Sequence, residues 1–469
     1  MSDKLDLKAL TALVIGSMIG AGVFSLPQNM AAVASPAAVM IGWGITGLGM
    51  ICLAFTFQSL IRLRPHIHGG VFGYAQAGFG DFIGFFSAWG YWLSASVANV
   101  SFLVIVCSTL GLFFDTDDQV WFGQGNTLLS LALSSALIWL VHILVLRGVR
   151  TAAVVNFITI IAKLIPIVVF IIAATVAFRW DTFSVDFTQA GAMADGNLFE
   201  QVRQTMIITV WVFIGVEGAV VVSSRAKEPK DVGRATILGL LICLFLYVSV
   251  TLLSMGIIST PELAALPNPS TAKILAALIG ETGTLIVGIG LIISVAGAYL
   301  SWTLLATETP YAAAEQGMFP RIFSKVNDNF TPTHSLLATS VLVQLCLLLT
   351  FWFRGGYDNL LVISSEMILV PYLLVALFLL KIAYQEAQPL PIRVLAWLAT
   401  LYGMWLLFAS GLHHLLLSAL LYLPGLVFFW YAKRASGASI FSGRNLWLSI
   451  LLVVAASCAI VLLIFGVEL

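Results

Sequence analysis

The feature that most constrains this chain is the recurrence of long apolar runs, each of 17 or more mostly apolar residues. Such a run is about as long as an α-helix must be to cross the hydrocarbon core of a bilayer. Because backbone groups in hydrocarbon must be hydrogen-bonded within the chain, the runs predict helices. The sequence therefore predicts an all-α polytopic membrane protein with 13 transmembrane helices, near residues 7–32, 38–61, 82–113, 126–146, 153–178, 204–224, 235–258, 283–307, 335–353, 359–381, 393–411, 413–432 and 445–467.

The composition agrees with this class, since 60% of the residues are hydrophobic and 9% are charged, against about 25% charged in a soluble domain. A net charge of zero indicates no nucleic-acid partner. The N-terminus lacks the pattern of a cleaved signal peptide, so the first run is predicted to be a true span. The cysteines have no CxxC spacing, and the pair His413–His414 has no acidic or cysteine ligand nearby in sequence. We therefore expect no disulfide framework, metal site or cofactor.

The basic residues predict the orientation of the chain, because cytoplasmic loops of membrane proteins carry an excess of Lys and Arg. With a cytoplasmic N-terminus, 17 basic residues fall inside: Lys4, Lys8, Arg62, Arg64, Arg147, Arg150, Arg225, Lys227, Lys230, Arg234, Arg321, Lys325, Lys381, Arg393, Lys433, Arg434 and Arg444. Four fall outside: Arg179, Arg203, Lys273 and Arg354. The asymmetry supports 13 spans and predicts that the C-terminus, Glu468–Leu469, lies outside.

Two of the apolar runs are interrupted at bilayer depth. The first places Gly16, Ser17, Gly20 and Gly22 in mid-span, and each glycine costs about 1 kcal/mol relative to alanine inside a helix. The sixth run places a glycine pair around a carboxylate in the stretch 211–219. Both patterns predict helices that break and leave backbone groups free. Two interrupted spans in matching positions of two halves indicate a transporter's substrate site.

Four ionisable side chains lie within the predicted spans: Lys163, Glu217, Glu308 and Glu366. Such residues are costly in a bilayer and are candidates for function. Glu217 lies in the predicted sixth-span break, where a buried carboxyl suits proton sensing or gating. Lys163 is predicted to bind carbonyls freed by the first break, either replacing a sodium ion or releasing its proton during transport. The roles of Glu308 and Glu366 stay open: the first is predicted to be interfacial, and the second is a candidate for holding a cationic substrate.

Two tryptophans stand out among the many aromatic residues. Trp211 is one turn from the predicted sixth-span break, and Trp302 lies in mid-span among small residues. A tryptophan ring in such a place can stack on a guanidinium or ammonium group, which contributes up to about 2 kcal/mol when desolvated. Periodicity alone does not separate this role from packing in the core.

Four stretches together resemble one known family. They are Gly16–Phe24 followed by Pro27, then Pro65 with Gly69–Gly70 and Tyr74, then Trp211–Glu217, and finally Ala312–Pro320. The chain is similar over nearly its whole length to the amino acid, polyamine and organocation transporters, within them to the basic amino acid antiporters, and most of all to arginine/ornithine antiporters. Where arginine/agmatine exchangers carry Asn and Ser in the first span, this chain has Ser17 and Ala21, so the substrate contacts are expected to differ.

The resemblance implies a single transmembrane domain (1–469) with a 5+5 inverted repeat, at 7–178 and 204–381, and three additional C-terminal helices at 393–467. It places the substrate between broken helices 1 and 6. The substrate-binding residues carried over by motif are Ser17, Met18, Gly20, Ala21, Gly22, Tyr91, Asn99, Trp211, Ile214, Trp302 and Ser365. Those carried over for gating or proton coupling are Glu217, Lys163 and Trp211. Lys163 also resembles the fifth-span lysine of proton-coupled amino acid transporters.

The predicted function is therefore exchange of cationic amino acids, arginine for ornithine, across a bacterial inner membrane. Two alternatives stay open: a proton-coupled symporter, and an exchanger of another amino acid and its decarboxylation product (lysine/cadaverine, histidine/histamine or arginine/agmatine). An intramembrane enzyme or a channel is disfavoured, since the sequence shows neither a serine–histidine or HExxH arrangement nor a repeated filter. The expected partners are small cationic amino acids, the lipid bilayer and, as an open alternative, a second copy in a homodimer.

Overall fold

The computed structural model describes residues 5–185, 187–188, 197–223, 226–353, 357–434 and 440–464, without the side chains of 149–158, 160–162, 358 and 463. Among the residues predicted above to set the orientation, Lys4, Arg225, Arg354 and the pair Glu468–Leu469 lie outside the described residues, as does the side chain of Arg150. Across the described ranges the chain is helical, and the only β-type pairings are two isolated bridges, Leu5 with Ala226 and Val326 with Pro332.

The helices are numbered in chain order. The first ten are α1 (Leu7–Met18), α2 (Gly22–Val33), α3 (Pro36–Leu63), α4 (Gly70–Phe79), α5 (Asp81–Phe114), α6 (Leu128–Leu146), α7 (Val149–Ala177), α8 (Trp180–Val185), α9 (Leu198–Phe213) and α10 (Gly218–Val221). The others are α11 (Pro229–Met255), α12 (Thr260–Ala264), α13 (Ser270–Ile279), α14 (Glu281–Glu315), α15 (Thr333–Trp352), α16 (Tyr357–Gln385), α17 (Leu390–Ser410), α18 (Leu412–Lys433) and α19 (Arg444–Ile464).

Each predicted apolar run coincides with a long helix or with a pair of helices separated by a short break. In the described part of the chain, ten helices are long and apolar enough to cross a membrane, and the bent pair α1–α2 makes an eleventh. Helix α7 is only partly described and α9 has 16 residues, so neither enters this count. The all-α polytopic class is confirmed, and the total of 13 spans stays a prediction.

Local sequence signals account for several helix starts. Asp6 caps α1, because its Oδ1 accepts a hydrogen bond of 2.8 Å from the backbone N–H of Ala9. Asn197 caps α9 in the same way through the N–H of Glu200, at 3.1 Å. Pro36 and Pro229 stand in the first turns of α3 and α11, where a missing backbone N–H costs nothing.

Helix α5 lies at the centre of the bundle and the C-terminal helices lie at its edge. In α5, 72% of the most apolar 18-residue window is buried, whereas the corresponding values are 22% for α18 and 17% for α19. Helices α14 and α16 pack along α5, and α1, α9 and α11 complete the wall around the two breaks. Most of the exposed side chains of α18 and α19 are apolar, as contact with lipid requires.

Residues predicted to be cytoplasmic share one end of the bundle. Arg64 at the end of α3 pairs with Glu386, and Lys433 at the end of α18 pairs with Asp81 at 2.6 Å. Lys381 on α16 donates to the carbonyl of Gly78, at 2.6 Å. The assignment of this end to the cytoplasm, and the division of the chain into two inverted repeats, stay predictions.

Candidate functional site

The first break separates α1 from α2 at residues 19–21, where the chain bends by 42°. Gly22, the first residue of α2, lies against α9: a Cβ there would be 2.7 Å from Cγ1 of Val212, closer than real Cβ atoms approach. A Cβ on Gly20 would likewise lie only 2.9 Å from Cε1 of Phe102 in α5. The glycines of this segment therefore allow the broken helix to approach two neighbouring helices.

The second break separates α9 from α10, between Phe213 and Gly218. Gly215 has a φ of +108°, a backbone conformation that glycine adopts without strain. Its carbonyl accepts a hydrogen bond of 2.9 Å from Ser17 Oγ. A Cβ on Gly215 would also meet the Ser17 side chain at 2.9 Å. The two breaks are thus in direct contact, although they are 198 positions apart in the sequence.

A small cavity lies between the breaks. Seven of the predicted substrate-binding residues line it: Ser17, Met18, Gly20, Gly22, Trp211, Ile214 and Trp302. Three further lining residues, Ala98, Phe102 and Val212, were not predicted. The first two come from α5, and nothing in the sequence distinguishes them from ordinary core residues. All three aromatic side chains of the lining are buried, so the site is closed in this conformation.

The other four predicted substrate-binding residues, Ala21, Tyr91, Asn99 and Ser365, are not part of the cavity lining. Ala21 is buried in the first break, at the N-cap position of α2. Ser365 donates to the carbonyl of Leu361 in its own helix, at 2.8 Å. Asn99 of α5 is completely buried, and neither its Oδ1 nor its Nδ2 has a hydrogen-bond partner. Because an unpaired buried amide is costly, Asn99 is available for a polar group of a ligand.

Glu217 lies in the second break and is held from three sides. Its Oε1 accepts a hydrogen bond of 2.8 Å from Tyr91 Oη. Its Oε2 accepts bonds from Tyr372 Oη, at 2.5 Å, and from the backbone N–H of Gly215, at 3.2 Å. The carboxyl thereby joins α5, α16 and the break. Tyr372 was not predicted, since it lies 155 positions from Glu217 and is one tyrosine among 11 in the chain.

Lys163 extends from α7 to the first break. Its Nζ donates to the carbonyls of Gly16 and Ile19, both at 2.8 Å, and its side chain is completely buried. The carbonyl of Gly16 would accept from the N–H of Gly20 in a continuous helix, but that N–H turns to Met18 instead. The ammonium group therefore satisfies backbone oxygens that the break leaves without their helical partners.

The two tryptophans close the cavity from different directions. Trp302 of α14 donates from Nε1 to the carbonyl of Ser17, at 2.9 Å, and its ring centroid lies 6.4 Å from that of Tyr91. Trp211 of α9 donates from Nε1 to Tyr357 Oη, at 3.2 Å, so the first residue of α16 touches this tryptophan. Tyr357 was not predicted, because it lies 146 positions from Trp211 in the sequence.

The arrangement can bind a small molecule with two opposite charges. The N-terminus of α2 presents free backbone N–H groups and the positive end of a helix dipole, which attract an anion. The C-terminus of α9 presents carbonyl groups and the negative end of a dipole, which attract a cation. The residues that line the cavity include three aromatic rings and no ionisable side chain. A further positive charge on the same molecule would therefore contact the faces of these rings.

Two further acids lie away from this cavity. Glu308 is half-buried near the end of α14 and has an interaction partner. Glu366 of α16 is buried and lies beside His414 of α18, with Oε1 at 3.1 Å from Nδ1. Neither residue is among those that line the substrate cavity.

Comparison with known proteins adds to this geometry. Residues 5–456 match the family model described as amino acid permease. The chain is 55% identical over 434 residues to the putative arginine/ornithine antiporter of Escherichia coli K12, covering 92% of this chain and 93% of that protein. It is 45% identical over 458 residues to the arginine/ornithine antiporter of Pseudomonas aeruginosa, covering 94% and 93%. It is 41% identical over 429 residues to the arginine/agmatine antiporter of Chlamydia trachomatis, covering 90% and 88%. With its paired helix breaks and a family match over nearly its whole length, this chain belongs to the amino acid permease family of membrane transporters.

Proposed function

We propose that this protein exchanges cationic amino acids across the bacterial inner membrane, arginine for ornithine, by alternating access. Its family and its relatives make it a multi-pass transporter and not an enzyme. Two similar proteins are named arginine/ornithine antiporters, and a third is named an arginine/agmatine antiporter. The structural observation that carries the proposal is the closed cavity between the two helix breaks, which has complementary helix ends on its two sides.

In the proposed complex, the substrate carboxylate binds backbone N–H groups around Ala21 and Gly22. The α-ammonium binds carbonyls near Trp211 and Ile214. Each group then meets the helix end of opposite sign, and this arrangement fits the α-amino acid part of any substrate. Met18 and Gly20 complete the wall on the side of the first break. Selectivity must therefore come from the remainder of the pocket.

For the substrate side chain, we propose that Trp302 stacks along it and that Asn99 accepts a hydrogen bond from the distal cation. The unpaired amide of Asn99 supports this role, since its Oδ1 is buried without a donor. Tyr91 and Ser365 are also proposed to approach the distal group. A distal guanidinium or ammonium can use cation–π contact and amide oxygens without a carboxylate. Because arginine and ornithine carry the same net charge, this exchange is electroneutral.

Gating is proposed to involve Trp211 and Glu217. Trp211 covers the cavity and is held by Tyr357 at the start of α16, so release of this bond would open one side. Glu217 connects the second break to α5 and α16, and a change in this connection would transmit substrate binding to both helices. Under the proposed orientation, with a cytoplasmic N-terminus and an outside C-terminus, Trp211 closes the outer path.

Uptake of labelled arginine into proteoliposomes tests the proposal. Vesicles are loaded with ornithine, agmatine, lysine or buffer, without a pH gradient. We expect fast uptake into ornithine-loaded vesicles and only background uptake into empty ones. Equal uptake into empty and loaded vesicles would contradict exchange. Faster uptake with agmatine, or with lysine, than with ornithine would contradict the proposed substrate pair.

One observation favours a second candidate, which is proton-coupled symport. Lys163 places a completely buried ammonium at the first break, where loss of its proton would release two backbone carbonyls. Uptake into empty vesicles driven by a pH gradient, and lost in Lys163→Met, would support symport. Uptake that requires internal ornithine at every pH would exclude it.

A further inference from the structure

A second buried polar cluster lies outside the substrate cavity, where α16 packs against the junction of α17 and α18. At its centre is Glu366, whose side chain is 3% exposed. Its Oε2 accepts a hydrogen bond of 3.4 Å from Ser418 of α18. Its Oε1 lies 3.1 Å from Nδ1 of His414 but outside hydrogen-bonding geometry. Ser410, the last residue of α17, lies beside the carboxyl and is itself buried.

The histidine connects this carboxyl to the surface of the bundle. The side chain of His414 is 43% exposed, whereas that of Glu366 is almost fully enclosed. The imidazole can therefore exchange protons with the outside of the protein, and its Nδ1 lies 3.1 Å from Oε1 of the enclosed carboxyl. Histidine is the side chain that most readily changes its charge between about pH 5 and 8. The exposed imidazole and the buried carboxyl can thus bind a proton that comes from outside the protein.

The other charged and titratable groups around the cluster are already engaged or lie elsewhere. Arg203 of α9 is paired with Glu200, at 2.5 Å, and donates to the carbonyl of Ala409, at 2.7 Å. His413, next to His414, is exposed. The tyrosines and cysteines on the helices packed against α16 contact other residues: Tyr422 (Met367 carbonyl), Tyr402 (Gly49), Tyr91 (Glu217), Tyr74 (Phe378), Tyr431 (Arg434), Cys52 (Ala376) and Cys107 (Ser134). His414 is therefore the titratable side chain closest to the carboxyl of Glu366.

We propose that Glu366 and His414 form a proton-binding site that controls how α16 is held against the C-terminal helices. When the pair holds one proton it has no net charge, so the carboxyl of Glu366 can stay buried without an unpaired charge. Loss of that proton leaves a carboxylate without a cationic partner, and gain of a second leaves an imidazolium without an anionic one. Either change weakens the contact between α16 and α18, because an unpaired charge is disfavoured in an apolar setting.

The site can influence transport because α16 also carries contacts to the substrate site. Tyr357 at its start bonds to Trp211, and Tyr372 farther along bonds to Glu217. Arg203 attaches α9, the helix of Trp211, to the same junction of α17 and α18. Proton binding at Glu366 and His414 would therefore alter the movement of α16 and of α9. This consequence rests on the proposed exchange function, but the proton site itself does not.

The experiment measures arginine/ornithine exchange at saturating substrate over about pH 5 to 8, with equal pH on both sides of the vesicle. The variants are Glu366→Gln and His414→Gln, together and singly. Neither substrate changes its charge in this range, so the profile reports the protein. We expect the wild-type maximal rate to vary at least about threefold across the range. The two single variants and the double variant should share one flattened profile, since both residues act through one pair.

The matched control is His413→Gln, which removes the neighbouring exposed imidazole but leaves Glu366 and His414 in place, and it should retain the variation of the rate with pH. A second measurement is the pH dependence of thermal unfolding of the purified proteins, which needs no transport activity. The wild-type melting temperature should vary with pH, and part of that variation should be lost equally in both single variants. A wild-type profile preserved in Glu366→Gln or in His414→Gln would overturn the proposal. If the wild type exchanges nothing, the proposed function fails, and the unfolding measurement still decides the proton site.

Discussion

Tyr372→Phe is the sharpest test of the gating site. The hydroxyl of Tyr372 donates to Glu217 Oε2 at 2.5 Å, and both residues are fully buried or nearly so. Phenylalanine keeps the ring and its packing but leaves Oε2 with the backbone N–H of Gly215 as its remaining donor. The substitution therefore removes one hydrogen bond between α16 and the second break and creates little new space.

The size of the effect depends on whether Glu217 carries its charge when the site is closed. A hydrogen bond to a charged group contributes about 1.5–3 kcal/mol, whereas hydrogen bonds between membrane helices average about 0.6 kcal/mol. If the bond is made only in the closed state, its loss raises the free energy of that state by the same amount. Exchange passes through the closed state, so the rate should fall about 10- to 150-fold for a carboxylate and about threefold for a neutral acid.

The assay is the initial rate of arginine/ornithine exchange, with thermal unfolding in detergent as a check on folding. Tyr422→Phe is the control, because that half-buried tyrosine donates to a neutral acceptor, the carbonyl of Met367, at 3.1 Å. We expect a lower rate for Tyr372→Phe than for the control, by at least about tenfold if Glu217 is a carboxylate and by about threefold if it is a neutral acid. Equal rates in the two variants would refute the inference that the hydrogen bond between Tyr372 and Glu217 holds α16 to the break.

Three further predictions follow from the geometry. Gly22→Ala places a Cβ 2.7 Å from Val212 and should cost about 1–3 kcal/mol, lowering exchange at least about fivefold; Gly44→Ala, with nothing within 4 Å, should leave the uptake rate unchanged. Lys163→Met leaves two carbonyls of the first break without donors and should destabilise the protein by about 1–3 kcal/mol for each, measured by thermal unfolding. Partial burial opposes ionisation of Asp115, but hydrogen bonds from the N–H groups of Phe122, Gly123 and Trp121 outweigh it and lower the pKa of this loop carboxyl. The pKa of Asp115 is about 3.9 in the unfolded chain and lower in the folded protein. The ionised carboxylate therefore stabilises the folded protein above about pH 3.9, and this stabilisation is lost as the pH falls through the folded pKa. Asp115→Asn should therefore speed hydrogen exchange of those three amides at neutral pH, and the difference should disappear in acid.

The sequence predicted much of the site because the relevant signals are local. Glycines in mid-span indicated both helix breaks, and the structure has breaks at residues 19–21 and 214–217. Seven predicted binding residues line the cavity. Five of them, Met18, Gly20, Gly22, Trp211 and Ile214, were predictable because they lie in or beside these breaks. Trp302 was recognisable by its small neighbours. Ser365, predicted on resemblance, instead bonds within its own helix, and its role stays a prediction.

The sequence by itself determined the helical class, the approximate positions of the spans and the places where two of them break. A bilayer imposes the same demand on each segment separately, so hydrophobicity, glycine and helix caps decide these features residue by residue. Only the tertiary structure decided which distant side chains meet: Phe102 at the first break, Tyr357 at Trp211, Tyr372 at Glu217 and His414 at Glu366. These partners lie on different helices, and their contacts depend on the rotation and depth of each helix within the bundle. Packing among all the helices sets those quantities together, and no single segment encodes them.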